Sequence, residues 1–235
     1  VAPDGAAGSH GVSGLLLIDK PAGITSHDVV DVVRRAYSER SVGHLGTLDP
    51  FATGLLVLLL GRSTRLATFI ENEPKVYAAV IRFGEETDTG DPTGDVIRTA
   101  DIPDRRKILD AIASLTGEIR QVPPEFSAKK VLGAPAYRAA RAGAPLVLAP
   151  SLVNVHEWNV ASLEGAELAV SITCGGGTYI RALARDLGRA CSSAAHLTAL
   201  RRTRSGEFDV ADAATLDDLR ATPPPTIRHL RVVAE

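Results

Sequence analysis

The chain predicts an α+β domain built on a mixed or antiparallel sheet. Three observations carry that reading. Two segments, Lys75–Phe83 and Glu167–Cys174, alternate apolar and polar residues with the period of a strand. Several other segments have helical spacing and recognisable caps. Strands and helices follow one another without a regular β-α-β-α rhythm, so a purely parallel sheet is not expected.

Taken in order, residues 14–19 (GLLLID) read as a short buried strand, and Lys20-Pro21-Ala22-Gly23 turns the chain. Thr25 and Asp28 have the spacing of a capping box. They open a helix whose apolar stripe is Val29, Val30, Val33 and Tyr37, with Arg34 and Arg35 near its end. A glycine-rich loop follows at 43–54, then the unbroken apolar run 55–60, a strand broken by Gly61. Residues 64–70 are expected to form a short helix with Leu66, Phe69 and Ile70 on one side. In the strand 75–83, Tyr77, Ala79, Ile81 and Phe83 share a face.

Residues 84–94 are acidic and turn-rich. Asp104 caps a helix to about 116, with Ile108, Ile112 and Leu115 in register and Gly117 as its stop. Residues 121–124 make a rigid break. Residues 127–150 are basic and rich in Ala, Gly and Pro, an excursion from the main fold. After the strand 167–174, Gly175–Gly177 leads to a helix capped by Thr178 and ended by Gly188. Its stripe is Ile180, Leu183, Ala184 and Leu187, and Arg181 and Arg185 share a neighbouring face. A second short helix is expected over 193–200, before the basic 201–204.

The chain has 235 residues, 45% of them hydrophobic, enough for one sizeable core and a small appendage. No apolar run is long enough to span a membrane. Residues 1–13 show no basic-then-apolar pattern and read as a flexible leader, not a signal peptide. Cys174 and Cys191 have no metal-ligand spacing; as reduced thiols they imply a cytoplasmic protein. The net charge is −2, yet the basic residues gather at 34–40, 129–141 and 181–204 and are mostly Arg. Such clusters suit phosphate contact, and solvated surface equally well.

Within 43–54 (GHLGTLDPFATG), Asp49 is the single carboxylate, set between Leu48 and Pro50. An Asp in a turn is an ordinary structural device. A lone acid in an apolar, shaped loop is also a candidate for chemistry. Other chemistries lack their motifs: there is no Walker ending after Gly54, no H-E-x-x-H and no G-x-S-x-G. Gly175–Gly177 suits a phosphate cradle or close strand-to-helix packing, and the spacing does not choose between them.

GHLGTLDPFATGLL, preceded by DKPAGITSHDVV, resembles the bacterial tRNA pseudouridine-55 synthase (TruB) family. PKVYAA at 74–79, FSAKKVLGAPAYRAAR at 126–141, CGGGTYIRALARDLG at 174–188 and AAHLTALRRTRSGEF at 194–208 match further family motifs in the family's order. The matches run from about residue 15 to 208. Two departures stand out: Gly175-Gly176 replaces the usual Ser-Lys, and the C-terminal RNA-binding domain of PUA type that members commonly carry is expected to be absent or truncated. The resemblance implies a pseudouridine synthase fold over 14–222, with an inserted RNA-gripping segment at about 121–150 and a linker or remnant at 223–235.

It also implies roles. Asp49 matches the catalytic aspartate, Arg181 its arginine partner and Tyr77 the active-site tyrosine. An apolar site would raise the pKa of Asp49, and the Arg181 charge would favour its ionised form. His44 matches a wedge that fills the space of a flipped base, and Leu200 a leucine packed on that base. Lys20 is expected to support the loop or a phosphate. Lys130 and Arg202 are expected phosphate contacts, with Lys129 beside them; Gly46, Thr47 and Tyr179 complete the substrate-contacting set. Isomerisation of uridine involves no net redox and no leaving product, so neither cofactor nor metal is expected. The implied partner is the tRNA T-arm, bound by a monomer without a guide RNA or a membrane. The alternative is a tRNA-binding or folding chaperone with secondary or lost catalysis.

Overall fold

The computed structural model describes residues 12–124, 130–131, 134–135, 148–221 and 224–228. Residues 1–11 of the leader expected at 1–13, most of the insert expected at 121–150, Lys129 and the Lys130 side chain lie outside the described residues. The elements are β1 (Gly14–Lys20), α1 (Ser26–Tyr37), β2 (Val42–His44), β3 (Thr53–Leu60), β4 (Lys75–Phe83), β5 (Glu85–Thr87), β6 (Val96–Thr99), α2 (Arg105–Ser114), β7 (Gly117–Gln121), β8 (Lys130–Val131), β9 (Ala134–Pro135), β10 (Ser151–Glu164), β11 (Glu167–Cys174), α3 (Ile180–Ala190), β12 (Ala195–Ser205) and β13 (Phe208–Asp209).

One mixed sheet organises the described chain, in the order β1-β3-β12-β4-β11-β10-β7, with β2 beside β3 and β13 beside β12. All its ladders are antiparallel except β3–β12, which are parallel over Arg201–Thr53 and Arg202–Gly54. The α+β expectation is met. The uninterrupted apolar sequence of β3 has a physical reason: α1 covers one face of it and Leu15, Leu17 and Phe208 share a cluster on the other. The second layer of the core places Tyr77, Ile81 and Phe83 of β4 against Ile108 of α2 and Leu183 and Leu187 of α3.

Helix α1 forms as its sequence dictates. The Thr25 hydroxyl accepts from the Asp28 backbone and the Asp28 carboxylate accepts from the Thr25 backbone, satisfying two free donors of the first turn. Arg34 and Arg35 stand in the last turn, where cations suit the helix dipole. Asp104 caps α2 through the Lys107 N–H.

Four local expectations are corrected. Residues 193–200 are not a helix: β12 occupies Ala195–Ser205 and pairs with β4 from Phe83 to Lys75. Its Ala and Leu favour a helix locally, and burial between two strands overrides that preference. The helix expected over 64–70 is a 3₁₀ turn at Gly61–Leu66, and Phe69 is 80% exposed. Tyr179, not Thr178, occupies the N-cap of α3; the Thr178 hydroxyl donates instead to the Gly175 carbonyl. Gly188 does not end α3. It lies inside the helix, where a Cβ would come 2.5 Å from the Ala195 nitrogen, so its role is close packing on β12.

The parallel seam between β3 and β12 makes one backbone demand on sequence. Gly54 has φ +100°, and a Cβ there would overlap the Arg202 backbone. Gly54→Ala should therefore lower stability by about 1–3 kcal/mol, the usual range for overpacking a tight site. Urea unfolding of the two proteins measures it; an unchanged midpoint would contradict this account of the seam.

Candidate active site

Residues 45–52 form a loop between β2 and β3, and its backbone is held at nearly every turn. The Leu45 N–H donates to the Val57 carbonyl and the Gly23 N–H to the Pro50 carbonyl. Ser26, the first residue of α1, both accepts from the Leu48 N–H (2.9 Å) and donates to the Leu48 carbonyl (3.1 Å). Lys20 is fully buried beneath the loop, and its ammonium donates to the carbonyls of Pro21, Ile24 and Pro50. Of the two roles expected for Lys20, the structure selects loop support; a group sealed from solvent does not meet a phosphate. Burial lowers its pKa to about 8, against the opposing charges of Asp49 and Asp28.

Arg202 is also corrected. The resemblance makes it an expected phosphate contact, yet it is 1% exposed. Its Nε donates to the Leu55 carbonyl and its Nη2 to the Gly46 carbonyl, so β12 reaches across and holds the far end of the same loop. Gly46 has φ +112°, and a Cβ there would lie 3.3 Å from Arg202 Nη1. The glycine lets loop and guanidinium approach each other.

This framework presents Asp49 to Arg181 of α3. Nε reaches Oδ2 at 2.8 Å and Nη2 reaches Oδ1 at 3.0 Å, a bidentate pair between residues 132 apart. The Asp49 side chain is 32% exposed and that of Arg181 only 4%. The third arm of the guanidinium, Nη1, donates to the Thr89 carbonyl at 2.7 Å. A second carboxylate, Asp91 Oδ2, stands 4.0 Å from Arg181 Nε. Its other oxygen accepts from the hydroxyls of Thr89 and Thr93 and from the Thr93 N–H. Sequence reading left Asp91 within an acidic turn. The flanking threonines show that its carboxylate is held, but nothing local shows that it faces Arg181.

A cavity of ≈ 220 Å³ opens beside the pair, lined among others by Asp49, Lys75, Tyr77, Arg181, Leu200 and Arg202. Tyr77 and Arg202 are paired across the β4–β12 ladder, as are Leu200 and Ala79, which places the tyrosine and the leucine together on the inner wall. Burial raises the Tyr77 pKa, with the Arg202 charge pulling the other way, so the phenol is neutral at physiological pH. Gly46 and the exposed Thr47 line the cavity, as does Tyr179 at the start of α3. The Gln121 side chain fixes Tyr179 by donating to its carbonyl and accepting from its N–H. Gln121 went unrecognised in sequence because its partner is 58 residues away.

His44 ends β2, half-buried, and is not part of the cavity lining. Burial lowers its pKa, helped by the charge of Arg202, and its buried Nδ1 has no hydrogen-bond partner among the described residues. Gly175 and Gly176 show close packing: the Gly175 N–H donates to the Asn154 carbonyl, and a Cβ on Gly176 would overlap the Glu73 carboxylate. Among the described residues, no group of three or more His, Cys, Asp or Glu could hold a metal ion. No helix described is long and apolar enough to cross a membrane.

Residues 34–180 match the model of the TruB family pseudouridylate synthase N-terminal domain. The chain belongs to the TruB family of pseudouridylate synthases. Residues 181–223 match the tRNA pseudouridylate synthase B C-terminal domain, so the junction of the two TruB models falls between Ile180 and Arg181, inside α3. The chain is 50% identical over 218 residues to tRNA pseudouridine synthase B of Thermobifida fusca, covering 88% of this chain and 74% of the relative. It is 42% identical to the protein of that name from Bordetella avium, over 91% of this chain and 89% of the relative. Among solved structures, a Cbf5-Nop10-Gar1 complex contains a chain with TM-score 0.68 and 30% identity over 87% of this one. This chain spans about half of it (53%). The sheet and flanking helices are thus those of pseudouridine synthases, and four of the motifs that carry the TruB resemblance, at 43–56, 74–79, 174–188 and 194–208, contribute residues to the cavity lining.

Two outcomes follow from this geometry. Asp91→Asn removes the more distant of the two carboxylate charges beside Arg181 while keeping an oxygen to accept from the threonines. Turnover should fall about 10- to 100-fold, as for a lost charged contact, with KM little changed; steady-state kinetics separates the two. For Lys20 the folded pKa, about 8, is below the unfolded value, about 10.5. The cost of burying its charge is fully present below about pH 8 and is relieved as pH rises towards 10.5. Urea unfolding from pH 7.5 to 10 should show a stabilising slope relative to Lys20→Met that is absent below pH 7.5.

Proposed function

We propose that this protein converts a uridine of the tRNA T-loop, at position 55, to pseudouridine. The observation that supports it best is the bidentate Asp49–Arg181 pair, its carboxylate still one-third exposed, at the mouth of a cavity walled by Tyr77 and Leu200. The reaction breaks the bond from uracil N1 to the ribose, turns the base, and joins its C5 to the same ribose carbon. N1 gains a proton and C5 loses one, so the product is an isomer. Asp49 is the one carboxylate among the described residues lining the cavity, and it manages the detached base or sugar by attack or by proton removal. Arg181 holds it in one rotamer with both oxygens aligned. The neutral Tyr77 ring offers a face for uracil to stack on, and its hydroxyl a relay for the C5 proton. Leu200 closes the other side.

Reaching a base within a folded arm means taking it out of its stack, at a cost of about a few kcal/mol. His44, kept uncharged by burial, is the ring suited to fill the vacated place. Lys130 is assigned a phosphate contact by its motif. Recognition then rests on the shape of the T-arm and its unstacked loop bases, without a guide RNA. The names of its relatives, tRNA pseudouridine synthase B, support tRNA as substrate. We place the protein in the cytoplasm with that substrate, acting as a monomer on a catalytic unit of about residues 14–222.

Incubated with a T-arm transcript carrying 5-tritiated uridine, the protein should release tritium in proportion to pseudouridine formed. Asp49→Asn should release less than about one-thousandth as much and still bind the RNA, because Asp91 remains as a counter-charge for Arg181. Equal release by both proteins would refute the assignment. A wild type that binds but releases nothing would favour a tRNA chaperone.

A further inference from the structure

Among the described residues, three cations line the cavity: Lys75, Arg181 and Arg202. Two of them are committed within the protein. Arg181 gives Nε and Nη2 to Asp49 and Nη1 to Thr89. Arg202 is sealed from solvent and gives Nε and Nη2 to the carbonyls of Leu55 and Gly46. Lys75 is different. An ammonium has three donors, and Lys75 gives one, to Asn72 Oδ1 at 3.2 Å. Among the described residues no carboxylate forms an ion pair with it, although Glu73 stands near enough to raise its pKa. Burial and the Arg202 charge act the other way and are not fully offset.

Its placement is specific. Lys75 begins β4 two residues before Tyr77, so one strand period puts both side chains on the cavity face. Across from it is Gly46, where a Cβ would lie 3.6 Å from Lys75 Cε and 4.0 Å from Nζ. The ammonium therefore faces the loop that carries Asp49, at the partly exposed rim. A nucleotide whose base enters this cavity carries a phosphodiester on either side of its ribose, and Lys75 is the lining cation with donors left for one.

We propose that Lys75 is a substrate contact: it donates to a non-bridging oxygen of the phosphodiester that flanks the nucleotide in the cavity. This rests on the function proposed above. An incoming phosphate would supply the counter-charge that the fold withholds from Lys75, and a lysine's point charge holds it without reading the base.

The test uses the whole chain and a T-arm hairpin, with binding measured across a salt series. Lys75→Gln should bind about tenfold more weakly, the effect of one charged hydrogen bond. Its plot of log affinity against log salt should be shallower by about 0.7, one single-strand phosphate. Lys75→Arg should keep the wild-type slope, which separates a charge contact from misfolding. A methylphosphonate at the linkage beside the target uridine should weaken the wild type and leave Lys75→Gln unaffected. The proposal is overturned if Lys75→Gln keeps the wild-type slope, or if the methylphosphonate penalises both proteins equally. A lysine that instead met a uracil carbonyl would cost turnover with the slope intact, which also overturns it. Failure of the function itself would show separately, as a wild type that binds the hairpin and releases no tritium.

Discussion

A guanidinium taken out of water must be matched, and Arg181 is matched at every arm. Burying an ion costs several kcal/mol unless charge and hydrogen bonds replace its water. Asp49 supplies a bidentate pair, Thr89 a carbonyl and Asp91 a nearby second charge. That requirement draws together α3, the β5–β6 turn and the loop before β3, three segments far apart in the chain. The side of Asp49 that faces the cavity stays open, while the side that faces the protein is fixed. A rigid, partly exposed carboxylate is what the proposed chemistry asks for.

Below this pair, two further buried cations act chiefly on backbone. Lys20 from β1 and Arg202 from β12 bind carbonyls on either side of Asp49, and Ser26 clamps Leu48 between them. The loop has no regular ladder of its own, so its carbonyls would otherwise be buried without donors. Charged donors stabilise such groups more strongly than neutral ones. Basic residues in this protein therefore divide by burial. Those beneath the loop hold it, and Lys75 at the rim is left with donors to spare.

Much of the site was legible in the chain. Asp49 in its glycine-framed loop, Tyr77 on an alternating strand and Arg181 on an amphipathic helix were all found where sequence placed them. The capping box of α1 and the Asp104 cap of α2 are local devices, and local rules found them. Less legible were β10, whose long strand has a weak alternation and two register shifts, and β12, whose Ala and Leu favour a helix. Sequence also assigned Arg202 a phosphate-contact role, since nothing within a few residues of it shows that it is buried.

The division follows from the range of the forces. Periodicity, caps and turns act over a few residues, so the chain alone settled α1, α2 and α3, the strands β1, β3, β4 and β11, the loop around Asp49 and the apolar character of β3. Whether β12 would be a strand depended on β4, more than a hundred residues earlier. Which of Lys20, Arg202 and Lys75 would be sealed, and that Asp91 would face Arg181, depended on how the sheet closed around the loop. Desolvation and long-range charge are properties of a position in the packed fold, and only the tertiary structure assigns them.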